Sequence, residues 1–213
     1  MIEIKNLFVK FDNKIVYQNF NISFDENSIT AILGKSGSGK TTLFNVLNNT
    51  IDFEGELVNN HSQKSMVYST PRLIPTMTIE ENLKFILKNN NFYEELKEVD
   101  LFDSKDKYPD ELSSGMAQRV SLIRAFLYPS KIMLMDEPFV NLDISLKYKL
   151  MDMFKNLWQK QKPTTLLISH DIDDALYLAD RIVLINDSKI ILDIKNDKTL
   201  ETKNKLIDAL MTI

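Results

Sequence analysis

The stretch Ile29-Thr30-Ala31-Ile32-Leu33-Gly34-Lys35-Ser36-Gly37-Ser38-Gly39-Lys40-Thr41-Thr42-Leu43-Phe44 decides how the rest of the chain is read. A short apolar run, predicted as a strand over Ser28 to Leu33, passes straight into a glycine cluster. Leu43, Phe44 and Leu47 then recur at helical spacing within 41–49. Gly34 to Thr41 fits G-x-x-x-x-G-K-[ST] at every position, and strand, glycine loop, helix is the setting in which that pattern binds phosphate. Glycines remove the side chains that would block a close approach. Backbone N–H groups of the loop and of the helix N-terminus can then converge on phosphate oxygens. The candidate nucleotide ligands are Gly34, Lys35, Ser36, Gly37, Ser38, Gly39, Lys40, Thr41 and Thr42. Lys40 is expected to reach the β- and γ-phosphates, and the Thr41 hydroxyl to coordinate Mg2+.

Glycine is scarce elsewhere. The chain has 213 residues and 5 glycines, where average usage of about 7% would give roughly fifteen. Gly115 lies in Leu112-Ser113-Ser114-Gly115-Met116, and Gly55 reads most simply as a turn residue. The apolar share of 44% supports a globular core, and 26% charged residues argue for a soluble folded chain. No apolar run approaches the ~20 residues that span a bilayer. The opening Met1-Ile2-Glu3-Ile4-Lys5-Asn6 lacks the order of a signal peptide. Lys and Arg are scattered and the net charge is -4, so no nucleic-acid footprint is expected. The absence of cysteine excludes disulfides and thiolate zinc sites. Together these features predict a soluble cytoplasmic protein.

Outward from the loop, Ile2 to Phe11 and Ile15 to Phe24 read as β segments joined by Asp12-Asn13-Lys14. The compact apolar runs 132–135, 165–168 and 182–185 read as buried parallel strands, with a helix from Ile144 to Lys160 between the first two. Residues 78–127 differ. They suggest three helices, around 79–87, around 92–99 and from Ser114 to Leu127, with turns at 89–91 and 103–107. The tail from Asp197 to Ile213 reads as one helix. The expected fold is α/β: a phosphate-loop NTPase core with a mainly parallel sheet, an N-terminal antiparallel β segment and an inserted helical lobe. As one domain over 1–213, it divides into a core of 1–77 and 128–213 and a helical subdomain of about 78–127.

Further residues carry chemistry. The strand over 132–135 ends in Asp136-Glu137-Pro138. An aspartate there can supply the second protein contact to Mg2+, and the adjacent Glu137 can orient or deprotonate an attacking water. The same pair could instead cap a following helix, a task Asn141 or Asp143 would serve as well. His170, in Ser169-His170-Asp171, is by itself most simply structural; at the same sheet edge as Lys40 and Asp136 it could donate to a γ-phosphate oxygen. His61 lies in a polar loop and is given no role.

With these residues in hand, the chain resembles the ATPase subunit of an ABC transporter over nearly its whole length and in motif order. Gly34 to Thr41 corresponds to the Walker A loop, Ile132 to Asp136 to Walker B, and Glu137 to the catalytic glutamate. Residues 139–143 match the D-loop, which makes Asp143 a nucleotide-contact candidate, and His170 matches the switch histidine. Phe11 falls where the family stacks an aromatic ring on adenine, though it also suits a strand-end core position. Leu112 to Arg119 stands where the family has LSGGQ and a basic helix. The resemblance implies an ATP-dependent head-to-tail homodimer in which Ser113 and Gly115 contact ATP held by the partner.

Two segments depart from the family pattern. Ser114 replaces a glycine, and Met116 a glutamine, the latter as in importers for nitrate, sulfonate and taurine-like substrates. Ser69, in Met66-Val67-Tyr68-Ser69-Thr70-Pro71, occupies the position of a glutamine that helps bind Mg2+ and links nucleotide state to the membrane subunit. The segment 169–181 resembles those importers and their thiamine-precursor relatives, and the short remainder leaves no expectation of a regulatory domain. The resemblance thus implies ATP and Mg2+ as ligands and integral membrane transporter subunits as partners, with a solute-binding protein acting indirectly. It places the chain in the cytoplasm, peripheral on the inner face of the cell membrane. The alternatives are a non-transport ABC ATPase, disfavoured by the lack of tandem cassettes or long coiled-coil insertions, and a cassette with weakened coupling.

Overall fold

The computed structural model describes residues 1–12, 14–87, 91–140 and 142–212. Asn13 of the first expected turn, Asn89 and Asn90 of the second, Asn141 of the D-loop-like segment and Ile213 lie outside the described residues. The chain divides into two compact units, one of residues 1–64, 131–136 and 163–213, the other of 65–130 and 137–162.

In the first unit, β1 (Ile2–Phe11) pairs antiparallel with β2 (Lys14–Phe24) and with β4 (Glu54–Val58). Alternation places Ile2 and Ile4 of β1 inside and, past a register shift between Ile4 and Leu7, resumes with Leu7 and Val9. A second sheet contains, in order, β6 (Ile132–Asp136), β7 (Thr164–Ile168), β3 (Ile29–Leu33), β8 (Arg181–Asn186) and β9 (Lys189–Lys195). Of these, β6, β7, β3 and β8 are parallel, and β9 returns antiparallel beside β8. Every residue of β3, β6 and β7 is buried, so these strands read in sequence as largely apolar runs without polar alternation. Helices α1 (Lys40–Leu47), α6 (Ile172–Leu178) and α7 (Leu200–Met211) belong to the same unit.

The second unit holds β5 (Lys64–Val67, from Ser65 on) and helices α2 (Ile79–Leu87), α3 (Tyr93–Glu98), α4 (Ser114–Leu127) and α5 (Ile144–Gln161). Phe126 of α4 and Phe154 of α5 stack at a tilt with centroids 5.0 Å apart. Buried Asn82 on α2 donates to the carbonyls of Ile74, Met77 and Thr78, and its Oδ1 accepts from the Ile74 N–H. One side chain thus fixes the irregular chain before the helix.

The structure departs from the sequence reading at several places. Gly55 is not in a turn but in β4, at φ 116, where an added Cβ would lie 2.6 Å from the Lys5 carbonyl oxygen and 2.8 Å from that of Asn6. The opposing strand bulges there, with Asn6 at φ 52, and the two backbones approach too closely for a side chain. Strands β4, β5 and β9 and helix α6 were not expected. Each is short or half exposed, so its periodicity is weak. Part of 103–107, expected as a turn, closes a 3-10 helix over Phe102–Ser104.

The last helix begins at Leu200, because residues 197–199 form its cap. Asp197 Oδ1 accepts from Thr202 Oγ1 at 2.6 Å, from Thr199 Oγ1 at 2.7 Å and from the Thr199 N–H at 3.0 Å. The bonds from Thr202 and then Thr199 hold its carboxyl well down, at about 2. Its folded pKa lies below the unfolded one, so this contribution is complete above the ordinary range near 3.8 and is lost as pH falls through about 2. Helical circular dichroism from α7 is expected to fall between about pH 4 and 2, and Asp197→Asn to remove that step from the titration. An unchanged acid profile in the variant would assign the step to another group.

Candidate active site

Within the first unit, three parallel strands deliver their carboxyl ends to one edge. Asp136 of β6 is in register with Ile168 of β7, and Ile168 with Ile32 of β3. The glycine loop leaves β3 just beyond Ile32, and Ser169-His170 leaves β7 just beyond Ile168. Gly34 to Lys40, Asp136 and His170 are therefore brought to the same side of the sheet, the edge where open α/β sheets bind ligands.

The loop's shape has identifiable causes. Gly34, at φ 148, passes so close to β8 that a Cβ would sit 2.0 Å from the Ile185 carbonyl oxygen. Gly39 caps α1 in a left-handed conformation over the phenol of Tyr17, which lies 2.8 Å from where a Cβ would be. Tyr17 is completely buried; its hydroxyl has no hydrogen-bond partner among the described residues, and burial pushes its ionisation up. It forms the floor of the loop, a role that a tyrosine in an alternating strand does not announce.

Lys40 is buried, and its Nζ donates to the carbonyls of Gly34 and Lys35, each at 2.7 Å, and to Ser38 Oγ at 3.3 Å. The ammonium thus braces the loop from inside. Lys35, Ser36, Gly37 and Thr41 are exposed, and Thr42 is half exposed. His170 is exposed between β7 and α6. Neighbouring Ser169 receives the Asp171 N–H at 3.0 Å and donates to buried Asp174 at 3.2 Å, which fixes the turn carrying the histidine. Phe11, at the end of β1, is 45% exposed, so the strand-end core alternative is set aside.

The second unit carries the remaining candidates. Glu137 follows Asp136 in the chain and has φ 48, a left-handed conformation uncommon for a side chain of its kind. Ser69 is exposed beyond β5. Ser113 is the N-cap of α4 and accepts the Met116 N–H at 3.3 Å; Gly115 lies in the first turn with open space where a Cβ would be. Asp143 caps α5 by accepting the Leu146 N–H at 2.9 Å. Sequence reasoning missed Gln118 and Asn82, two buried polar side chains whose amides donate to backbone carbonyls of irregular segments.

Among the described residues no three His, Cys, Asp or Glu side chains cluster as a metal cage. A hydroxyl such as Thr41 with a single carboxylate such as Asp136 suits Mg2+, which takes few protein ligands and completes its shell with phosphate oxygens and water.

A phosphate loop with a strand-end aspartate and histidine at the carboxyl edge of a parallel sheet defines a phosphate-loop nucleotide cassette. Comparison with known proteins narrows the class. The ABC transporter family matches residues 17–140. The chain is 33% identical over 201 residues to the aliphatic sulfonates import ATP-binding protein of Bacillus cereus (strain ZK / E33L), covering 86% of this chain and 79% of that one. A counterpart from Pseudomonas syringae pv. tomato is 32% identical over 200 residues, covering 92% and 74%. A dimeric ATP-binding cassette solved in a post-hydrolysis state with ADP and Pi superimposes with a TM-score of 0.79 at 27% identity, over 92% of this chain and 98% of that one. The chain belongs to the ABC transporter family, and its fold is that of the family's ATPase cassette.

Proposed function

We propose that this protein binds and hydrolyses ATP to power an ABC importer of a small solute. The observation that carries the reading is the convergence of the braced glycine loop, Asp136 and His170 on one sheet edge in a chain of this family. The names of its relatives, importers of aliphatic sulfonates, favour a small organic anion as the solute.

In this reading the loop N–H groups, Lys40, Ser38 and neighbours hold the phosphates, and Phe11 offers an exposed ring to adenine. Thr41 and Asp136, with Ser69 as a weaker candidate, would hold Mg2+, which when bound neutralises charge on the β- and γ-phosphates. Glu137 orients and deprotonates the water that attacks the γ-phosphorus, and His170 donates to a γ-phosphate oxygen. The chain itself gives no packing reason for Gly115, since a Cβ there meets nothing, and glycine in a helix costs about 1 kcal/mol relative to alanine. That supports close approach by something outside the chain, namely ATP held by a second copy, with Ser113 and Asp143 alongside. ATP then closes a homodimer, and hydrolysis reopens it. From its place on the inner face of the membrane the dimer passes this motion to integral membrane subunits, with a solute-binding protein acting beyond them. No helix among the described residues is long and apolar enough to cross a membrane.

Exposed Ser69 and Ser114 favour one further reading, a cassette whose nucleotide cycle is loosely coupled to its partner. One experiment addresses both. The tagged protein is purified from its own membranes, and MgATP turnover is measured alone and in the complex. Co-purification with an integral membrane protein that raises turnover by about tenfold or more is expected. Recovery with ribosomes or DNA overturns the transport reading, and a membrane complex without stimulation supports loose coupling.

A further inference from the structure

Gln118 lies in α4, beyond Ser113 and Gly115, and is 4% exposed. Its Nε2 donates to the Pro138 carbonyl at 2.9 Å and reaches the Tyr68 carbonyl at 3.5 Å. Both neighbours are acceptors, so the orientation of the amide follows from the network; turned over, it would set Oε1 against carbonyl oxygen. The two carbonyls adjoin candidate site residues, since Tyr68 precedes Ser69 and Pro138 follows Glu137. The same helix reaches the first of these segments again: Arg124 donates to the Arg72 carbonyl at 2.6 Å, and the Arg72 guanidinium stacks over the Tyr68 ring at 3.6 Å.

The amide is used on one side only: its Oε1 has no hydrogen-bond partner among the described residues, while its Nε2 satisfies a carbonyl that an apolar side chain of the same shape would leave orphaned. What Nε2 holds is the carbonyl of Pro138, the residue that follows a strained one. A left-handed backbone such as that of Glu137 persists only where its surroundings determine it. We propose that Gln118 is a positioning residue for ATP hydrolysis, which clamps the carbonyl of Pro138, the residue after Glu137, from the helix capped by Ser113 and ties that clamp to the segment bearing Ser69. This rests on the catalytic reading of Glu137 given above.

The test uses the full-length protein and two variants, Gln118→Met, which keeps length and loses the donor, and Gln118→Asn, which keeps the amide but falls short of the carbonyls. Because small misplacements of reacting groups cost up to about 100-fold, kcat for MgATP is expected to fall about 10- to 100-fold with KM within about threefold. The loss in Gln118→Met should vanish in a Glu137→Gln background, measured by single turnover with protein in excess. Unchanged kcat, a change confined to KM, or an equal further loss in the Glu137→Gln background overturns the proposal. If Gln118→Met does not fold, Gln118→Asn is judged by the same criteria. Failure of the underlying reading is distinct: Glu137→Gln alone would then turn over ATP normally.

Discussion

Glu137→Gln is expected to lower ATP turnover by about 100-fold or more while leaving ATP affinity within about threefold, because a positioned general base contributes roughly 10²–10⁴ in rate. Glutamine keeps the length and shape of the side chain and loses only its ability to take a proton. The backbone at φ 48 is already paid for by its surroundings, and an isosteric change does not disturb it. Binding and chemistry should therefore separate. A protein that closes on ATP and cannot hydrolyse it should accumulate as an ATP-dependent dimer, read by size exclusion with ATP and again after its removal. Normal turnover in this variant would withdraw the catalytic assignment. Slow turnover without an ATP-dependent dimer would leave the chemistry in place and remove the homodimer.

Lys40→Ala is expected to weaken ATP binding by about 100-fold or more, measured by calorimetry, because hydrogen bonds to a charged group contribute about 1.5–3 kcal/mol each. The loss has two sources. One is the cation facing the phosphates. The other is internal: the ammonium holds the Gly34 and Lys35 carbonyls and Ser38 Oγ, and without it these acceptors lose the group that draws the loop into shape. Lys40→Arg separates them, since a guanidinium retains the charge but is too large for the buried position. If charge alone governs binding, the arginine variant should bind close to the parent. Equal losses in both variants would assign the effect to loop geometry, and parent-like binding by the alanine variant would remove Lys40 from the phosphate site.

Much of the architecture was legible because its signals are local. The compact apolar runs within β6, β7 and β8, the alternation of β1 and the strand-loop-helix at Gly34 need only near neighbours in sequence to be read. Helix α4 was legible over Ser114 to Leu127, though its Ser113 cap was not read from the sequence. The placement of Asp136 and His170 beside the glycine loop was less direct. It required the order β6-β7-β3, which follows from long-range parallel pairing and not from any one segment. Gly55 was misread because a glycine in a turn and a glycine under a neighbouring backbone look alike in sequence. The difference lies in Lys5 and Asn6, which meet it only after the strands pair.

By itself, then, the sequence determined that a phosphate-binding loop joins a buried strand to a helix, that strand ends carry an aspartate and a histidine, and that a helical segment interrupts the strands. Those features follow from the side-chain periods of strands and helices and from the backbone freedom of glycine, which act over a few residues. Only the tertiary structure decided that Tyr17 forms the floor beneath Gly39, that Lys40 braces its own loop, and that Gln118 holds the peptide beyond Glu137. Buried polar groups must find partners wherever the fold puts them, and those partners leave no mark at any fixed spacing along the chain.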